Sequence, residues 1–101
     1  PRFKGPNLNA NVKASSKFRT LASEFGVSSA SLAIAWLLHK GDHIVPIPGT
    51  RSVSHFLENC QGARMELSAE QIVQIEQLLP IGWAHGDRYS QKQWVGPEKY
   101  C

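Results

Sequence analysis

The segment His43–Pro48, HIVPIP, carries the one convincing strand signal in a chain whose other ordered stretches read as helices. It is rich in β-branched residues, punctuated by Pro46 and Pro48, and closed by a Pro-Gly turn. A strand needs partners for its backbone N–H and C=O groups. Each such group left buried and unpaired costs roughly 1–3 kcal/mol, against a net domain stability of only about 5–15 kcal/mol. The partners of this strand are therefore expected outside the 101 residues. The helix–strand–helix order fits one unit of an α/β fold whose other strands lie elsewhere.

The flanking elements follow from periodicity and caps. Pro1 to Ala14 reads as loop, with two prolines, a glycine and three asparagines. Phe18, Leu21, Ala22 and Phe25 then fall at i, i+3, i+4 and i+7, one apolar helix face. Ser15 or Ser16 can cap its start, and Gly26 suits the left-handed position after its end. A second helix from about Ser28 to Lys40 is apolar around most of its circumference and needs neighbours on more than one side. Val53, Phe56, Leu57 and Cys60 repeat the helical spacing, which predicts a third helix from Val53 to about Gly62. Ser68-Ala69-Glu70-Gln71 forms a capping box, with Leu67 and Ile72 as its hydrophobic staple. Ile72, Ile75 and Leu79 continue that face to Pro80, and the tail 81–101 shows no clear period.

Composition narrows the function classes. A net charge of +3 is mildly basic, but the positive residues are scattered, which suits a solvated surface better than a nucleic-acid footprint. Two cysteines, Cys60 and Cys101, suggest a reducing compartment, and a cytoplasmic location is expected. No stretch approaches 18 apolar residues, so neither a transmembrane helix nor a membrane partner is expected. The start on proline, with Met65 as the single methionine, points to a processed chain or a piece of a longer one.

The chemistry concentrates after the strand. Gly49 lets a ligand approach the backbone, the next helix begins with unpaired N–H groups, and Thr50 and Ser52 carry hydroxyls. Arg51 adds a planar, permanently charged fork suited to phosphate. The same residues also describe a capped helix with an exposed arginine. Two turns on, Glu58 and Asn59 can bond an adenine edge or form part of a solvated polar face.

Taken together, PIPGTRSVSHFLEN (46–59) resembles the nucleotide-binding segment near the end of the aldo-keto reductases. LASEFGVSSASLAIAWLLHKG resembles the helical layer before it, ELSAEQIVQIEQLLP the C-terminal helix, GDRY (86–89) the tail, and the opening PRF the preceding loop. The resemblance covers nearly the whole chain in order. It implies an α/β fold, the C-terminal portion of a (β/α)8 barrel that is mostly helical here, with one strand near 44–48. It further implies that Gly49, Thr50, Arg51 and Ser52 match the turn holding the 2′-phosphate of NADP, and that Glu58 and Asn59 match the pair on adenine. His55 stands where many members have arginine, and Gly49 where many have lysine. Arg51 is then the main charge for the 2′-phosphate. A charge-assisted bond of about 1.5–3 kcal/mol favours NADP over NAD roughly ten- to hundredfold.

The implied reaction is reduction of a small-molecule carbonyl by hydride transfer. The family's catalytic Asp, Tyr, Lys and His belong to earlier strands, and nothing in residues 1–101 matches them. The chain should therefore not catalyse alone, and it requires the remainder of the barrel.

Other candidates carry less. His39 and His43 have a metal-ligand spacing, but Gly41-Asp42 breaks the helix between them and no third ligand is near, so no metal site is expected. His85 reads as a surface residue. Tyr89 and Tyr100 lack a lysine and carboxylate around them, Trp36 reads as core, and Trp83 and Trp94 either line a substrate pocket or cover apolar surface. A rival of another class is a helix-turn-helix across Gly26-Val27-Ser28, or a small helical interaction module. A recognition helix offers Arg, Lys, Asn or Gln to a groove, whereas this second helix offers Ser, Ala, Leu, Ile and Trp.

Overall fold

In the computed structural model, which describes residues 1–90 and 92, four helices account for the regular structure: α1 (Gly5–Glu24), α2 (Ser29–His39), α3 (Val53–Arg64) and α4 (Ala69–Leu78). The expected α/β unit is not found. Among the described residues there is no strand, and 44–48 forms none. The reason is the one that made the segment conspicuous. Pro46 and Pro48 have no N–H to give, and Val45 and Ile47 stand 77% and 91% exposed. With no second strand beside it, the segment has no ladder to join. Only Ile44 finds a backbone acceptor, the Gly41 carbonyl at 3.0 Å.

The second correction is α1, which begins ten residues before the expected Ser15. Pro6 lies in its first turn, where a missing N–H costs nothing. Asn11, a loop residue by propensity, is buried and tied across the fold. Its Nδ2 donates to the Arg2 carbonyl at 3.1 Å and to the His85 carbonyl at 2.9 Å, and its Oδ1 accepts from the His85 N–H at 2.7 Å. Such tertiary bonds outweigh a weak local preference. Ser15 and Ser16 do not cap. Their hydroxyls donate back to the Val12 and Lys13 carbonyls within the helix.

The end of α1 follows expectation closely. Gly26 sits at φ +73°, its N–H donates to Ser23 and the Val27 N–H to Ala22, both at 3.0 Å. These are the paired bonds of a Schellman motif, and Val27 packs on the cluster containing Ala22. Across this turn α1 and α2 meet at 89°. Helix α2 is capped by Ser28, which accepts from the Ser31 N–H. It packs most extensively on α3 and also against α1, as its all-round apolarity demands. No single helix among the described residues is long and apolar enough to cross a membrane.

At the centre lie Leu21, Ala22, Leu32 and Ile75, with Phe18, Phe25, Val27, Trp36, Met65, Leu67 and Leu78 around them. The capping box of α4 is present in both directions: the Gln71 N–H donates to Ser68 Oγ at 3.2 Å, and the Ser68 N–H to Gln71 Oε1 at 2.9 Å. The Ser68 hydroxyl also holds the Glu70 carboxyl below its ordinary range. Helix α2 is linked to α4 by an exposed ion pair between Lys40 and Glu76, with Lys40 Nζ 4.9 Å from the Trp36 ring centroid. Hydrogen bonding from Lys40 lowers the Glu76 pKa. Its contribution is therefore present above the ordinary carboxylate range and is lost as pH falls through the depressed value.

Helix α3 turns its apolar stripe outward. Val53, Phe56 and Leu57 are 77%, 56% and 61% exposed, while Gly62 is the residue it buries. A methyl group on Gly62 would lie 2.5 Å from the Ser31 carbonyl oxygen and 3.0 Å from Ile34 Cβ. The bare backbone of α3 is thus the surface seated on α2, and the apolar stripe looks outward.

Leu32 is fully buried in the central cluster. Replacing it by alanine should cost about 2–5 kcal/mol, read as a lowered denaturation midpoint of the full chain. An unchanged midpoint would mean that the cluster is not the core.

Candidate functional site

Seven residues line an open cleft of about 410 Å³ where the 48–50 segment meets α2 and α3: Ala30, Pro48, Gly49, Thr50, His55, Glu58 and Asn59. This volume lies within the range of small-molecule sites, about 300–1,000 Å³. Five of the seven expected site residues are therefore gathered on one wall system. Arg51 and Ser52 are not among the lining residues.

The geometry of the turn explains that division. Thr50 Oγ1 accepts from the Ser52 N–H at 3.2 Å and lies 3.3 Å from the Ser52 carbonyl. Ser52 is the N-cap of α3: its hydroxyl oxygen accepts from the His55 N–H at 3.5 Å and lies 2.8 Å from Ser54 Oγ. Both hydroxyls are thus engaged in shaping the turn rather than turned outward as free donors. Arg51 is exposed and forms no ion pair among the described residues, so its guanidinium can meet an anion. A Cβ on Gly49 would meet nothing within 4 Å, and its φ is not positive. Packing in the described chain therefore places no demand for glycine there.

Glu58 and Asn59 are half-buried one turn from the α2–α3 crossing. Opposite them stands Ala30, in the first turn of α2, which the sequence reading did not single out. Its one signal was indirect: it precedes Ser31, whose side chain bonds to α3. Ser31 Oγ donates to the Glu58 carbonyl at 2.8 Å, so the backbone of a cleft residue is held from across the interface.

The remaining candidates lie elsewhere. Trp83 closes an apolar groove with Ser15, Phe18, Ala33, Trp36, Ile75 and Leu79, between α1, α2 and α4. Trp94 and Tyr100 fall outside the described residues. The His43 ring lies against Gly41, and no group of three metal-ligating side chains forms among the described residues. The separated PRF and GDRY motifs meet: the Arg2 N–H donates to the Asp87 carbonyl at 3.2 Å and Arg2 Nε to the Gly86 carbonyl at 3.1 Å. Arg88 sits 5.4 Å from the Tyr89 ring centroid. The α1–α2 corner has the angle of a helix-turn-helix, but α2 buries Ser31, Leu32, Ile34 and Ala35, which leaves no recognition face.

Comparison with known proteins bears on this arrangement. The model of the aldo/keto reductase family matches residues 2–80. A protein named probable aldo-keto reductase 1, from Glycine max, is 35% identical over 89 residues, which make up 88% of this chain and 26% of that protein. The chain thus spans about a quarter of that relative's length. No solved structure matches.

The cap is the part of the site that can be tested without any ligand. Ser52→Ala should destabilise the first turn of α3 by about 0.5–2 kcal/mol, seen as faster amide hydrogen exchange at His55 and Phe56. Exchange unchanged at both would show that the turn does not depend on this cap.

Proposed function

This chain belongs to the aldo/keto reductase family, and on that premise we propose that it supplies the nucleotide-gripping part of an NADP(H)-dependent carbonyl reductase. The observation that carries the proposal is the cleft. Gly49, Thr50, His55, Glu58 and Asn59, scattered over eleven positions, line one cavity beside an arginine with no ion-pair partner among the described residues.

The donor set fits an adenosine carrying a ribose phosphate. Glu58 can accept from an adenine amine, and Asn59 can both donate and accept along the same edge. Arg51 provides the charge for the 2′-phosphate, with a fork matched to its oxygens. His55 offers a ring for stacking. The open space over Gly49 lets phosphate oxygens approach the backbone at the head of α3, where the helix dipole favours anions. When bound, the cofactor supplies the hydride that reduces the carbonyl.

Within this chain the residues bind and orient; proton donation to the carbonyl oxygen is assigned to the rest of a longer polypeptide. That remainder is the partner we propose for the outward face of α3 and for the 44–48 segment. Val45, Ile47, Val53, Phe56 and Leu57 are all more than half exposed there, and they form the kind of apolar surface that marks an interaction site. A cytoplasmic setting completes the reading.

Two substitutions in the full-length reductase separate phosphate from adenine recognition. Arg51→Ala should weaken NADPH binding about ten- to hundredfold and leave NADH binding little changed. Ala30→Trp should fill the cleft and weaken both cofactors alike. Equal loss for both in Arg51→Ala would remove Arg51 from the 2′-phosphate.

A further inference from the structure

Ser31 and Gly62 lie behind the cleft rather than in it, yet they determine how far apart its walls stand. Ser31 is fully buried, and a buried hydroxyl must be satisfied. Its proton goes to the Glu58 carbonyl at 2.8 Å, and its oxygen lies 3.0 Å from Ser28 Oγ, the hydroxyl that caps α2. Gly62, one turn further along α3, has no room for a methyl group, which would lie 2.5 Å from the Ser31 carbonyl oxygen and 2.9 Å from its Cα. The two helices therefore touch backbone to backbone at this crossing. Its immediate neighbours are cleft residues: Ala30 precedes Ser31 on α2, and Glu58 is the residue whose carbonyl Ser31 holds.

We propose that Ser31 and Gly62 are positioning residues of the nucleotide site, fixing the register of Glu58 and Asn59 against Ala30; this rests on the function proposed above. Among the described residues, Ser31 is the α2 side chain that hydrogen-bonds to the backbone of α3, and it does so where the two helices are most closely seated. The apolar stripe of α3 faces away from α2 and does not enter this crossing. Loss of the hydroxyl leaves the Glu58 carbonyl without its lateral donor. A methyl group at Gly62 drives the helices apart. In both cases the adenine-facing groups shift while the charged turn at Arg51 remains.

The test is steady-state kinetics and NADPH titration by fluorescence on the full-length reductase. Ser31→Ala removes the bond to the Glu58 carbonyl together with the hydroxyl's contacts to Ser28 Oγ and Gln61 Oε1, and should raise the NADPH Kd and KM about three- to tenfold. Its kcat at saturating cofactor and its KM for the carbonyl substrate should stay unchanged. Gly62→Ala should raise the NADPH KM at least as much. Ile75→Val, a core change away from the crossing, should lower the melting temperature without moving the NADPH KM. Failure of the wild-type protein to bind NADPH would remove the functional reading itself. Tight wild-type binding matched by Ser31→Ala would overturn the positioning role alone, as would an equal KM rise in Ile75→Val.

Discussion

The approach of α3 to α2 at Gly62 and Ser31 is the contact on which the rest of the arrangement depends. Helix α3 does not hold on by burying its apolar side, because Val53, Phe56 and Leu57 lie in solvent. It holds by closeness, with backbone against backbone and one satisfied hydroxyl between. Dispersion between tightly fitted atoms is weak singly and large in sum, and a glycine is what allows the fit. Where α3 sits then decides where its N-terminal turn sits, and with it Gly49, Thr50 and Arg51.

What was legible in the sequence was local. The Schellman end of α1 needs only Gly26 and the residues within four positions of it, and the capping box of α4 only Ser68 through Gln71. Such motifs carry their energy in short-range bonds and survive any tertiary context. The start of α1 was not legible, because Asn11 is helical on account of His85, 74 positions away. The strand reading failed for a related reason: β propensity describes fit to a neighbouring strand, and residues 44–48 have none in the described chain.

The site divides in the same way. Gly49, Thr50, Glu58 and Asn59 were singled out by the family resemblance, with residue types that suit a ligand, and they line one cleft. Ala30 could not, since alanine has no chemistry to announce it and earns its place only through the crossing. The third helix shows the limit of such patterning. Its i, i+3, i+4, i+7 stripe was legible as an apolar face, but period says nothing about what covers that face. On the proposed reading, that face is buried against the remainder of a longer reductase.

One consequence concerns how a site of this kind tells two nearly identical cofactors apart. The hydroxyls that looked like phosphate donors, on Thr50 and Ser52, are engaged by the turn and by the cap of α3. They stiffen the backbone that an anion would approach but give little discrimination themselves. On the proposed reading Glu58 and Asn59 address adenine, which both cofactors share. On that reading the distinction therefore falls on Arg51, exposed outside the cleft. A preformed turn with an exposed arginine beside it would then separate affinity from selectivity: the helices and turn would set the first, and one guanidinium most of the second.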